Sequence, residues 1–216
     1  MTFCLLVVAK APVPGLAKTR LCPPATPEQA AAIAAAALLD TLDAVLETPG
    51  AVPLVAMTGD VDAAAQAEAL SRTLHGIEVI PQRGETFAER LAAAHADAAE
   101  LHPGLPVLQV GMDTPQVTPG LLAATAALVG GGAVLGPATD GGWWALGLRD
   151  PRHAAVLARV PMSRPDTASR TNAALTGIGL TPADAVLLSD VDTMADARYV
   201  ANAIPHSRFA KAVAIV

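Results

Sequence analysis

Phe3-Cys4-Leu5-Leu6-Val7-Val8 runs directly into Ala9-Lys10-Ala11-Pro12-Val13-Pro14-Gly15-Leu16-Ala17-Lys18-Thr19-Arg20-Leu21, a junction that points to an α/β architecture. The first six residues form an apolar run bounded by turn residues, the pattern of a buried strand. Beyond Pro23-Pro24, the stretch Thr26-Pro27-Glu28-Gln29 signals a helix start, with Pro at the first helical position and capping-box spacing from Thr26 to Gln29. The segment between is therefore a strand-to-helix loop, longer than the usual two to six residues. It carries Lys10, Lys18 and Arg20 with no acidic residue before Glu28, against a net charge of −6 for the whole chain. Ligands of open α/β sheets sit beyond the carboxyl ends of the strands, and fixed cations with backbone amides there suit a phosphate-bearing ligand. A solvated loop with ordinary surface lysines is the plainer alternative. Lys18-Thr19 imitates the end of a P-loop, but Ala17 stands where that motif needs glycine.

The remaining pattern alternates strands and helices. Helices are expected over Pro27–Glu47, Asp60–Leu74, about Thr86–Leu101, about Pro119–Val129 and about Met194–Ile204, with shorter helical stretches at Ala154–Arg159 and Asp166–Leu175. Strands are expected at Val52–Met57, Ile77–Ile80, Leu105–Val110, Ala133–Leu135, within Gly136–Leu148, and at Val186–Leu188. This alternation implies right-handed βαβ units and a mostly parallel central sheet with helices on both faces. With no internal repeat and no linker, residues 1–216 read as a single domain.

Composition narrows the partners. The chain is 52% hydrophobic but only 3% aromatic, so Ala, Val and Leu must build the core. The longest charge-free stretch, Thr114 to Thr139, is broken by Pro115, Pro119, Gly120, Gly130-Gly131-Gly132 and Pro137, which argues against a membrane span. No basic region precedes the first apolar run, so a secretory signal is not expected and a cytoplasmic location is. The acidic balance argues against nucleic acid. Cys4 and Cys22 have no partner at metal-ligand spacing and the five histidines are scattered, which argues against a zinc site.

Three loop carboxylates could carry chemistry. Asp113 lies in Gly111-Met112-Asp113-Thr114-Pro115 at the carboxyl end of an apolar strand, placed either to hold a divalent cation or to cap the next helix. Asp192, in Asp190-Val191-Asp192-Thr193-Met194-Ala195-Asp196, could be a helix N-cap with Asp196 as a first-turn acid, or Asp190 or Asp192 could supply a second metal ligand. Asp140 lies in Gly136-Pro137-Ala138-Thr139-Asp140-Gly141-Gly142-Trp143-Trp144. Gly141 and Gly142 permit close backbone approach, and Trp143 could wall an acceptor pocket; a hairpin turn with core tryptophan is the plainer reading. Successive tryptophans on a strand face opposite ways, so at most one should line a pocket. A basic turn and acidic turns meeting at one sheet edge would suit a metal–nucleotide complex.

At these same blocks the sequence resembles a bacterial family of nucleotide-diphospho-sugar transferase-like proteins, which includes arsenosugar-biosynthesis glycosyltransferases. The resemblance extends from the first strand to the last helix. It implies a Rossmann-like GT-A fold that binds nucleotides with Mg²⁺ or Mn²⁺. By the same resemblance Lys10, Gly15, Lys18 and Arg20 bind phosphates, Gln82 and Arg90 approach the nucleotide, and Asp113 and Asp192 hold the metal. Two departures from the family pattern are Ala88, where Gly is expected before Glu89-Arg90, and Gly111, which leaves Asp-x-Asp incomplete at Asp113. The leading expectation is a nucleotide-sugar-dependent transferase in which Asp140 serves the acceptor hydroxyl. Lys18-Thr19-Arg20-Leu21 also resembles phospholactate guanylyltransferases, so nucleotidyl transfer from an NTP to a small phosphorylated acceptor is the alternative. A non-catalytic nucleotide-binding protein is the third reading. The apolar C-terminal stretch Phe209–Val216 could serve a homodimer interface or pack against the sheet.

Overall fold

The computed structural model describes residues 1–216. Seven strands form one sheet in the order β3-β2-β1-β4-β6-β5-β7: β1 (Phe3–Lys10), β2 (Ala51–Thr58), β3 (Glu78–Pro81), β4 (Val107–Gly111), β5 (Ala133–Pro137), β6 (Trp143–Leu148) and β7 (Ala183–Asp184). All pairs are parallel except those of β6, which runs antiparallel to both β4 and β5. The central strand β1 is buried on both faces: Phe3, Leu5, Val7 and Ala9 enter one core cluster, and Cys4, Leu6 and Val8 the opposite one. That two-sided burial is what an uninterrupted apolar run specifies in a parallel sheet.

On the first face lies α1 (Pro27–Leu46), started by the Thr26/Gln29 capping box expected from its sequence. By length and composition α1 could cross a membrane, yet both its apolar sides are covered within the fold. Ala34, Ala35, Leu38 and Leu42 pack toward the sheet, while Ala30, Ile33 and Ala37 pack on α6 (Met194–Ala203) and α7 (Arg208–Val213). The C-terminal apolar stretch thus packs on α1 and α6 rather than on the sheet: Phe209 is wholly buried, and Asp40 accepts from the Phe209 amide at 2.8 Å. The second face is covered by α3 (Phe87–Leu101), the 3₁₀ segment Pro151–Arg159 and α5 (Thr167–Thr176).

Two expectations are corrected. The second helix, α2, spans Ala67–Leu74 rather than starting at Asp60, because Gln66 takes a left-handed conformation (φ 57°) that an α-helix cannot propagate through. The last strand is Ala183–Asp184 and not Val186–Leu188. The Val186 carbonyl accepts instead from the Trp144 indole at 2.9 Å, and the chain meets β5's extension at an isolated bridge between Leu188 and Ala138. This bridge runs the 188–192 turn alongside the 138–142 turn.

Candidate active site

The loops beyond the carboxyl ends of β1 and β4, the β5–β6 turn and the loop before α6 converge on one cleft. Its main cavity is about 850 Å³, with a smaller lobe of about 270 Å³ under the basic turn. Lys10, Arg20, Met112, Asp113 and Asp192 border both, so the two are parts of one site.

The basic turn is held by its own backbone. Gly15 supplies the left-handed turn (φ 76°), and Lys10 Nζ donates to the Leu16 carbonyl at 2.8 Å, closing the loop. Lys18 reaches across the sheet edge. Its Nζ lies 2.9 Å from Asp113 Oδ1 and 3.4 Å from Asp192 Oδ1, and it donates to the Val191 carbonyl. Burial alone would lower the Lys18 pKa, but the Asp113 and Asp192 carboxylates outweigh it and hold the ammonium above its usual range. Arg20 pairs with the other oxygen of Asp192 at 2.9 Å. The basic turn and two of the acidic turns are thus in direct contact, with Lys18 as a resident counter-ion between Asp113 and Asp192.

Asp192 is free for these pairs because it does not cap α6. Thr193 is the N-cap, and Asp196 accepts from the Thr193 amide at 2.8 Å in a capping box. Val191 is buried, and the carboxylates of Asp190 and Asp192 that flank it lie close together. The Asp-x-Asp spacing missing at 111–113 is present here. Asp140, Asp190 and Asp192 offer carboxylate oxygens all within 4.8 Å of one another. Burial, with repulsion from Asp140 and Asp192, raises the Asp190 pKa to about 6. Asp140 is held by an Asx turn, accepting from the Gly142 amide at 2.7 Å. Gly141 (φ 88°) lies so close to Pro165 that any Cβ would overlap its carbonyl, and its own carbonyl accepts from the Ala168 amide at 2.9 Å. The turn is thereby tied to the 162–167 loop.

The other residues singled out in the sequence also lie here. Gln82 donates to the Ala9 and Ala56 carbonyls at 2.8 and 2.9 Å, stitching together the ends of β1 and β2. Arg90 lines the cavity from α3, stacked over the Phe87 ring at 5.9 Å. Both tryptophans border the cavity, where one was expected. Trp144 is buried on the α1 face of the sheet, and Trp143 is half-buried on the α3 face with its indole donating to Thr171 Oγ1 at 3.1 Å. Ala88 is buried in the first turn of α3, and the left-handed Gly84 (φ 128°) provides the tight approach to Glu89 and Arg90. Gln109, Met162 and Arg164 also line the cavity without having been singled out. Gln109 alone carried a signal, as the one polar residue in an apolar strand; the other two reach the cleft only through tertiary folding.

The chain matches, over residues 41–164, the model of a family described as "Uncharacterized protein conserved in bacteria (DUF2064)". It is 32% identical over 182 residues to a phosphoenolpyruvate guanylyltransferase of Nocardia farcinica, covering 83% of this chain and 77% of that relative. A protein of Desulfovibrio desulfuricans G20 described as a candidate nucleotide-diphospho-sugar transferase superposes with a TM-score of 0.87 at 23% identity, over 99% of this chain and 94% of the other. Rv0371c of Mycobacterium tuberculosis H37Rv, solved with manganese, gives a TM-score of 0.52 at 20% identity over 92% and 98% of the two chains. The fold is that of the nucleotide-diphospho-sugar transferases.

Proposed function

The chain belongs to the DUF2064 family of conserved bacterial proteins, and from that premise we propose that it is a divalent-metal-dependent nucleotidyltransferase joining an NTP to a small phosphorylated acceptor. The observation that carries the reading is the meeting of Lys10, Lys18 and Arg20 with Asp113, Asp140, Asp190 and Asp192 at the carboxyl edge of the sheet. The guanylyltransferase relative supports the choice of nucleotidyl transfer.

The acidic triad fits the cation. It offers only carboxylate oxygens, the donors that Mg²⁺ and Mn²⁺ prefer. The raised Asp190 pKa marks a crowd of negative charge that a divalent ion relieves. When bound, the ion would neutralise phosphate charge beside Asp140, Asp190 and Asp192. Asp113 is a further carboxylate at this edge, released to a ligand if Lys18 turns toward phosphate.

The chain's own groups then have defined roles. Lys10 and Arg20 bind the triphosphate and offset the charge that builds on the leaving pyrophosphate. A phosphate oxygen of the acceptor, already ionised at neutral pH, attacks the α-phosphorus. The bond from that phosphorus to the α,β-bridging oxygen breaks, and pyrophosphate leaves. No general base is required, so Asp140 acts by placement rather than by taking a proton. The test is pyrophosphate release from each NTP with phosphoenolpyruvate and Mg²⁺. Release that depends on the acceptor supports the reading; its absence with every NTP and with Mn²⁺ as well overturns it.

Transfer of a sugar from a nucleotide donor is the second reading, favoured by the half-buried Trp143 beside Asp140, an aromatic wall suited to a sugar face. A thermal-shift panel in Mg²⁺ separates the two: stabilisation by NTPs alone favours nucleotidyl transfer, and stabilisation by nucleotide-diphosphate sugars alone favours the other.

A further inference from the structure

The cleft has a second arm on the opposite face of the sheet from the basic turn. Ala11 and Ala17 anchor that turn in the core cluster shared with α1. Gln109 points the other way, since its neighbours Leu108 and Val110 face α1. It meets His95 of α3 there, at 3.0 Å from Oε1 to Nε2. Trp143 and Met162 pack on this same α3-side cluster and border the cavity above it.

Two donors in this arm lack a protein partner. Arg90 is the first. Lys10, Lys18, Arg20 and Arg164 all have an oxygen partner, whereas Arg90 Nε is buried with none and no carboxylate pairs with its guanidinium. Its guanidinium carbon lies 5.9 Å from the centre of the Phe87 ring, within cation–π range. Gln109 is the second. His95 is wholly buried and stays neutral, its pKa lowered to about 4 by desolvation. Its Nδ1 has no partner, and a buried bare nitrogen costs less than a buried orphan N–H, so the proton sits on Nε2 and donates to Gln109 Oε1. The Gln109 amide N–H₂ is thereby left facing the cavity with no acceptor from the protein.

A cation and an amide donor that line one cavity and have no acceptor from the protein are the complement of an oxyanion. We propose that Arg90, which the family resemblance alone puts beside the nucleotide, instead joins Gln109 in binding the acid group of the second substrate, a carboxylate or a phosphoryl group, so that the acceptor is a small organic acid seated on the α3 side while the NTP occupies the basic-turn side. His95 is a positioning residue that sets the Gln109 amide. This assignment rests on the nucleotidyltransferase reading for its roles, though not for its geometry.

The test is calorimetric titration of the whole chain with phosphoenolpyruvate, pyruvate and inorganic phosphate, with and without Mg²⁺ and the non-transferring analogue α,β-methylene-GTP. Phosphoenolpyruvate should bind the wild type, weaken tenfold or more in Arg90→Met and Gln109→Glu, and recover in part in Arg90→Lys. The analogue's own affinity should change less than threefold in all three variants. Arg90-dependent binding of pyruvate assigns the arm to a carboxylate, and of inorganic phosphate to a phosphoryl group. The proposal is overturned if no acid binds the wild type, if Arg90→Met leaves acid binding unchanged, or if it weakens the analogue equally. Arg90-dependent acid binding by a protein that ignores the analogue in Mg²⁺ would keep the arm's assignment and overturn the transferase reading instead.

Discussion

Replacing Lys18 by Met tests whether the acidic edge of the cleft is held together by that single ammonium. Its Nζ is 2.9 Å from Asp113 and 3.4 Å from Asp192, with 12% of its side chain exposed. Coulomb attraction at these distances is on the order of 5 kcal/mol per pair at an effective dielectric of 20, but desolvation of the ammonium offsets most of it. Breaking a fully buried pair costs about 3–5 kcal/mol. Here Asp113 is 43% exposed and rehydrates once unpaired, and Asp192, 36% exposed, keeps its pair with Arg20. The net loss should therefore be roughly 2 kcal/mol, which lowers Tm by about 4–8 °C in a chain of this size. The variant should also respond more strongly to Mg²⁺ than the wild type does, because the freed Asp113 carboxylate can accept a cation. An ion present at ten times its Kd returns about 1.4 kcal/mol. Thermal unfolding at neutral pH, with and without Mg²⁺, measures both effects. A Lys18→Met protein as stable as the wild type, or one with the same Mg²⁺ response, would refute the counter-ion account.

Other outcomes follow from the same geometry. Asp190→Asn should stabilise the metal-free protein above pH 6 and not near pH 4. Asp190 ionises freely near its ordinary 3.8 when unfolded but only at about 6 in the fold, so its charge opposes folding progressively between those values and fully above them. After allowance for its partial exposure the gain should be about 1 kcal/mol, read as a Tm difference that fades as pH falls. In Mn²⁺ the same variant should lose metal affinity, measurable by electron paramagnetic resonance. Gly141→Ala should cost about 1–3 kcal/mol, since the left-handed turn and the Pro165 carbonyl leave no room for a Cβ; limited proteolysis should find the 162–167 loop loosened. Phe209→Ala should cost about 3–5 kcal/mol by opening a cavity between α1 and α7, measured by urea unfolding, with little change in nucleotide affinity.

Much of this site was legible in the chain. The two-sided apolar run of β1, the Thr26/Gln29 capping box and the acid-bearing turn after β4 are local patterns, and each formed where local pattern placed it. The sequence left Asp192 balanced between capping and ligation, because Asp192 and Thr193 are both good N-caps. The structure resolves this through Asp196, which completes a capping box with Thr193 and releases Asp192 to Lys18 and Arg20. Propensity places the last strand at Val186–Leu188 rather than at Ala183-Asp184, because Val186 and Leu187 are the better strand formers. Trp144's claim on the Val186 carbonyl is a tertiary contact that no window of sequence reports. For the same reason Arg164, Met162 and His95 gave no signal: each matters only through what the fold brings beside it.

Nucleotidyl transfer in this cleft requires one metal–triphosphate complex to bridge the basic turn and the acidic turns. The most direct measurement is a crystal structure with Mn²⁺ and α,β-methylene-GTP, read by anomalous scattering. A manganese peak is expected among the carboxylates of Asp140, Asp190 and Asp192, with the triphosphate reaching Lys10 and Arg20. A manganese peak elsewhere, or a triphosphate seated away from the basic turn, would contradict it.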